Sequence, residues 1–171
     1  MNKIKRKEGS IIIGLMFLIL VVIIMFVFAY EVVILLIIKD KSDNIVKNMS
    51  SSLILNIDKE KVRQGIVDID RVEGESIVKK IKEESYPELS MFKDPLVNIN
   101  YNNNGPNEVE VVVAIELPLK NDLIFFKNIN IKSRSQHRAY SDIELSELEI
   151  EALEEMSWEE IWNLLVFEEV F

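Results

Sequence analysis

Hydrophobic residues are distributed unevenly along this chain, and the densest run lies near the N-terminus. Positions Ile11 to Tyr30 are twenty uncharged and almost wholly apolar residues. At about 1.5 Å per residue, a helix of that length spans roughly 30 Å, the thickness of a bilayer's hydrocarbon core. Glu31 interrupts the run once, and seven more apolar residues follow up to Ile38. The pattern predicts a transmembrane helix over residues 11–38, long enough to tilt or to protrude from the bilayer.

The helical pattern continues beyond the apolar run in amphipathic form. Ile45, Met49 and Leu53 recur at helical spacing among polar residues. Neither Pro nor Gly occurs between Gly14 and Gly65. We therefore expect one continuous helix to about residue 55, whose outer half needs another element to cover its apolar stripe.

A second helix is predicted within residues 58–85. Its early part contains two glycines, so we expect a break or loop near residues 65–70. The helix should stop at Tyr86, because Pro87 disfavours the helical conformation of the residue before it.

From Pro95 the pattern changes to that of β-strands. Residues 96–101 alternate in polarity, residues 108–117 are rich in β-branched side chains, and residues 123–138 alternate in part. An Asn-rich turn separates the first two segments. Together they predict a three-stranded antiparallel meander, which needs a helix on one face to be stable. The predicted fold class is α+β.

The last thirty residues combine acidic charge with an aromatic stripe. Residues 142–171 hold eleven acids and no Lys or Arg, whereas residues 39–141 are neutral overall. Capping boxes of the S-x-x-E type at Ser141 and Ser157 predict acidic C-terminal helices. One face of the helix that starts at Ser157 would consist of Trp158, Ile161, Trp162 and Leu165. This stripe either folds back on the meander or docks into a partner's groove.

Charge and composition narrow the classes of function. The net charge is −9 without a basic patch, which argues against nucleic acid as a partner. The absence of cysteine excludes disulfides, thiolate zinc sites and cysteine nucleophiles. Residues 1–10 carry a net charge of +3, so the N-terminus should stay in the cytoplasm while residues 39–171 lie outside. The alternative is a signal peptide cut after Ala29, although such peptides have hydrophobic stretches of about 7–15 residues.

No convergent set of catalytic, cofactor-binding or metal-binding residues can be named. His137 is the single histidine, and we expect it to be a solvated residue at a strand end. The acids from Asp68 to Glu75 do not match the spacing of a calcium loop, and they should instead favour the N-terminal end of a helix. Glu31 is either a residue of the outer membrane interface or a contact in helix–helix assembly.

The sequence resembles TadE/TadG-like proteins, which are pilin-like components of the tight-adherence (Tad, Flp-type) pilus and secretion machinery of bacteria. The resemblance covers about residues 5–140. It is carried by the basic start and long apolar helix with its late Glu31, and by two strand-like segments at residues 109–119 and 123–138. Family members processed by a prepilin peptidase are cut after a Gly and carry Glu at the fifth mature position. The corresponding processing site here would be Gly9-Ser10, and the fifth residue is Gly14.

The resemblance implies a non-catalytic, pseudopilin-like subunit at the bacterial cell surface. Four regions are expected: a cytoplasmic basic segment (1–10), a transmembrane helix (11–38), an extracytoplasmic α+β domain (39–141) and an acidic amphipathic tail (142–171). The implied partners are membrane lipid and other pilin-like subunits or platform proteins, in a homo- or hetero-oligomer. The alternative is a membrane-anchored adaptor whose acidic aromatic tail recruits a partner.

Overall fold

The computed structural model describes the backbone of residues 2–85, 94–119, 123–141, 153 and 156–170, and within these ranges the side chains from Ile11 onward. Its helices are α1 (Asn2–Ile54), α2 (Lys59–Arg63), α3 (Arg71–Ser85) and α4 (Trp158–Trp162). Its strands are β1 (Leu96–Gly105), β2 (Glu108–Pro118), β3 (Asn130–Ser141) and β4 (Leu165–Val170). The fold is α+β, with one long N-terminal helix and a four-stranded antiparallel sheet.

Helix α1 runs without interruption for 53 residues, which corresponds to about 80 Å. Its N-terminal part is long and apolar enough to cross a membrane, and no side chain in the most apolar window is buried. Its C-terminal part is amphipathic, and Val46, Met49 and Leu53 are almost completely buried. One helix therefore provides both the apolar segment and a large part of the domain's core.

The sheet covers the apolar stripe of α1. Strand β2 is central and alternates in burial, so that its odd-numbered residues from Val109 to Leu117 enter the same core as Met49 and Leu53. Helix α1 contacts both β2 and β3. The opposite face of the sheet is polar and includes Glu116 and Lys132, which form an ion pair at 2.6 Å. This arrangement is typical of an antiparallel sheet with one face on the core and one in water.

The predicted second helix is divided in two. Gly65 has a φ of 78°, a conformation that glycine adopts without strain, and the chain then makes a short bridge between Ile57 and Ile69. Asp70 begins α3 by accepting hydrogen bonds from the backbone N–H groups of Val72 and Glu73 at 3.0 and 3.1 Å. The break expected near residues 65–70 is present, whereas the predicted stop at Tyr86-Pro87 lies outside the described residues.

The prediction of three strands is wrong, because the tail supplies a fourth. Strand β4 pairs antiparallel with β3, with Leu165 opposite Ser141 and Val170 opposite Gln136. The helix that Ser157 caps is only five residues long, from Trp158 to Trp162. Leu165 therefore lies on a strand and not on the predicted helical face. The capping box at Ser141 extends into residues outside the described ranges.

The third strand also begins later than the alternation predicted. Residues 123–129 form an irregular segment, in which Leu123 N–H donates to the carbonyl of Phe126 at 2.8 Å and Asn128 has a φ of 53°. Strand β3 starts at Asn130. The apolar residues at the start of this segment lie beside α1, so their hydrophobicity reflects a contact with the helix and not a strand pattern.

Candidate functional site

The base of the domain, where it meets the apolar part of α1, contains the most unusual side chain. Glu31 is 4% exposed although it lies within a long apolar helix. Its two carboxylate oxygens accept hydrogen bonds from the backbone N–H groups of Ile124 and Phe125, at 2.7 and 3.0 Å. A charged acceptor with two such donors gains about 1.5–3 kcal/mol from each hydrogen bond. Glu31 therefore holds the β2–β3 connection against the helix.

Aromatic contacts reinforce this junction. The Phe28 ring lies 5.7 Å from the Phe125 ring in an edge-to-face arrangement, and 5.6 Å from the Phe126 ring in a stacked one. Both distances are in the range in which aromatic pairs are favourable. The segment 123–126, which we call the base loop, is thus fixed to α1 at two successive helical turns.

Of the two roles predicted for Glu31, the structure describes neither directly. Both oxygens of its carboxylate accept hydrogen bonds from the base loop of the same chain. A contact between Glu31 and a sister helix stays a prediction that a single chain does not test. The sequence contains one signal for the base loop, four consecutive apolar residues (Leu-Ile-Phe-Phe) between Asp122 and Lys127. Its partner Glu31 is more than 90 positions away, which local patterns cannot indicate.

The aromatic stripe of the tail is packed on the domain. Ile161 is fully buried and Leu165 nearly so, while the Trp162 ring lies 4.9 Å from Phe167 and 5.8 Å from Trp158. Lys59 Nζ lies 5.0 Å from the Trp158 ring centre, a cation–π contact. Of the two interpretations of this stripe, the structure has the one in which it folds back on the sheet.

His137 is buried in the seam between α1 and β3, so the expectation of a solvated strand end is wrong. Its Nδ1 lies 2.9 Å from Oγ of Ser50, which is completely buried. Burial lowers the pKa of His137; the nearby carboxylate of Glu169 opposes this, and Lys47 adds to it. Because Ser50 and His137 are both buried, their contact joins α1 to β3 inside the core.

The acids from Asp68 onward have structural roles. The Asp68 carboxylate forms an ion pair with Lys61 and accepts a hydrogen bond from the Ile69 N–H at 2.8 Å. Burial by itself raises the pKa of Asp68, but these two hydrogen bonds together with the nearby positive charges hold it below its usual value. Within the described ranges, no group of three or more His, Cys, Asp or Glu side chains is arranged to hold a metal ion.

The predicted processing site lies at the start of α1. Gly9 and Ser10 both have a helical backbone. Comparison of the chain with protein-family models, curated proteins and solved structures finds no match.

Proposed function

We propose that the chain is a non-catalytic subunit of a membrane-anchored, pilus-like assembly of the Tad type. In this proposal α1 crosses the membrane once, its basic N-terminus remains in the cytoplasm, and the α+β domain stands on the outer side. The apolar part of α1 packs against the helices of other subunits, and the sheet presents its polar face outward.

The observation that carries the proposal is the continuity of α1. No break separates the exposed apolar segment from the part that is buried under the sheet. A helix that is apolar on all sides, such as residues 11–30, needs lipid or other helices around it. Because the same helix forms the core of the domain, lateral packing of the apolar part would fix the position of each domain relative to its neighbours.

The adaptor alternative has less support. Its proposed docking surface consists of Trp158, Ile161, Trp162 and Leu165, and Ile161 and Leu165 are buried in the chain's own core. Strand β4 also pairs with β3 along six residues. Release of the tail for a partner would therefore expose this core and remove one strand of the sheet.

The proposal can be tested by disulfide cross-linking in native membranes. The chain has no cysteine, so each introduced cysteine is the only one. Single cysteines at four successive positions, Leu15, Met16, Phe17 and Leu18, sample the helix surface in steps of 100°. We expect oxidation to link subunits at one or two of these positions, with recurrence three or four residues further on.

Two controls make this experiment specific. Val72→Cys, at an exposed position of α3, measures random collision between domains. The absence of links at all four helix positions, or equal links at all of them, would contradict lateral packing. Genes for a secretion ATPase and a Tad-type membrane platform beside this one would support the pilus assignment, and their absence would count against it.

A further inference from the structure

The base loop exposes large apolar side chains where α1 is itself apolar. Ile124 is 72% exposed and Phe125 is 42% exposed. The helix beside them exposes Phe28 and Tyr30 as well. Contiguous apolar surface of this kind is typical of a site that contacts a partner or a membrane.

The level of the base loop along the helix identifies that partner. Its Phe125 and Phe126 rings lie within 5.7 Å of Phe28. Phe28 belongs to the twenty-residue apolar run and precedes its last residue, Tyr30, by two positions, or about 3 Å along the helix axis. If the run lies in the hydrocarbon core, the base loop lies at the outer boundary of that core.

Three backbone N–H groups of the base loop are paired within the protein, which suits an environment without water. An N–H group left unpaired in hydrocarbon costs several kcal/mol, so irregular backbone is not found there unless its groups are satisfied by the protein. Here the N–H groups of Ile124 and Phe125 donate to Glu31, and that of Leu123 donates to the Phe126 carbonyl. The same contacts satisfy the buried carboxylate of Glu31.

The residues that flank the base loop suit the headgroup level. Lys127 and Asn128 follow Phe126 directly, and Tyr30 lies on the adjacent turn of the helix. Lysine side chains extend toward headgroups from an apolar boundary, and tyrosine is enriched at membrane–water interfaces. In the loop the change from apolar to polar residues thus occurs at Lys127, and at this level the helix has Tyr30 and Glu31 before it becomes apolar again up to Ile38.

We propose that the base loop, residues 123–126, inserts into the outer leaflet of the bilayer, where Glu31 holds its backbone. The domain would then rest on the membrane at two points, the helix and the loop, at a fixed height and rotation. This inference requires that α1 spans a membrane, but it does not depend on the pilus role.

The test uses the full chain reconstituted at low density in phosphatidylcholine vesicles. A single cysteine at Ile124 carries an environment-sensitive fluorophore, and its quenching is measured with lipids that bear a nitroxide near the headgroup or near the chain end. Leu18→Cys, in the centre of the apolar run, is the control for lipid contact. Asn103→Cys, at the exposed far end of β1, is the control for water.

We expect the fluorophore at position 124 to be quenched several-fold more than that at position 103, and more by the shallow nitroxide than by the deep one. Quenching at 124 as weak as at 103, with strong quenching at 18, would overturn the inference and leave the membrane span intact. Weak quenching at 18 as well would overturn both. If position 124 is protected both from the lipid nitroxides and from a water-soluble quencher, a sister chain covers the loop, and this result would also overturn the inference.

The role of Glu31 is tested in the same vesicles. Glu31→Ala removes both acceptors, and we expect it to reduce quenching at position 124 toward the value at position 103. Glu31→Gln keeps one carbonyl acceptor and should retain part of the quenching. Full quenching in the Glu31→Ala variant would show that the loop does not need this anchor and would overturn that part of the inference.

Discussion

His137 illustrates how one residue links the helix to the sheet. Its imidazole lies in the seam between α1 and β3, with Ser50 Oγ 2.9 Å from Nδ1. The charges of Glu169 on β4 and Lys47 on α1 act on it in opposite directions, and these two side chains form an ion pair with each other at 2.5 Å. The seam therefore contains one titratable group whose neutral form is favoured by burial.

This burial predicts a loss of stability in mild acid. The pKa of His137 is lower in the folded chain than its ordinary value of 6.5, so the unfolded chain binds the proton more readily. The stabilisation is complete above about pH 6.5 and is lost as the pH falls from there through the folded-state pKa. We expect the melting temperature of the full chain in detergent micelles to fall between pH 7 and pH 5.

The matched variant is His137→Gln, which keeps a polar side chain and does not titrate. Its melting temperature should depend less on pH over the same interval. Equal pH dependence of the two proteins would show that His137 is not responsible. Carboxylates titrate mainly below this interval and are the same in both proteins. They therefore do not account for a difference between the two melting curves.

At the scale of elements, the tail is part of the domain. Ile161 of α4 is completely buried, and Ser157 caps this helix with a reciprocal pair of hydrogen bonds to Glu160. Strand β4 then extends the sheet and carries Glu168, which forms an ion pair with Arg138 at 2.5 Å. That ion pair is exposed to solvent and contributes little to stability, so the apolar contacts of the tail matter more.

The burial of Ile161 predicts a large effect of its truncation. Ile161→Ala removes three buried carbon atoms and leaves a cavity, which typically costs about 2–5 kcal/mol. Urea unfolding of the full chain in micelles can be followed by tryptophan fluorescence, because both tryptophans lie in this tail. Val72→Ala, at a position 84% exposed, is the control and should change the free energy of unfolding by less than about 0.5 kcal/mol. Equal effects of the two substitutions would contradict the packing of the tail.

These elements also show which parts of the fold a single sequence can predict. The continuous α1, the hairpin of β1 and β2 and the break before α3 follow from periodicity, β-branched residues and glycine. Strand β4 was missed because the capping box and the apolar spacing up to Leu165 favour a longer helix, whereas the chain turns at Asn163 and Leu164. The base loop was missed because it is held by Glu31, a partner remote in sequence.

The candidate site was predictable to a smaller extent. Glu31 could be singled out because an acid in an apolar helix is costly, but its hydrogen-bond partners are backbone groups, which carry no sequence signal. The aromatic stripe of the tail could be recognised, but the surface against which it packs could not. A helix face that packs on its own sheet and one that docks on a partner have the same sequence pattern. The expectation for His137 is wrong because it rests on the polar residues next to it in sequence. On strand β3 exposed and buried positions alternate, and His137 occupies a buried one.

At the scale of the whole molecule, α1 is the element on which the account depends. It gives the chain one segment that is able to cross a membrane and, beyond it, the surface on which the sheet packs. The base loop lies where these two parts meet. The apolar segment, the loop and the core of the domain are therefore connected through a single continuous helix.

The central claim is that this helix crosses the membrane once, with the domain outside. Single cysteines at Asn2, Leu18 and Asn103 are treated with a membrane-impermeant maleimide in intact cells, or in spheroplasts where the cells have an outer membrane. In intact cells we expect the impermeant reagent to label position 103 alone, with position 2 labelled only after lysis and position 18 only after denaturation. Labelling of position 2 from outside, or of position 18 without denaturation, would contradict the account.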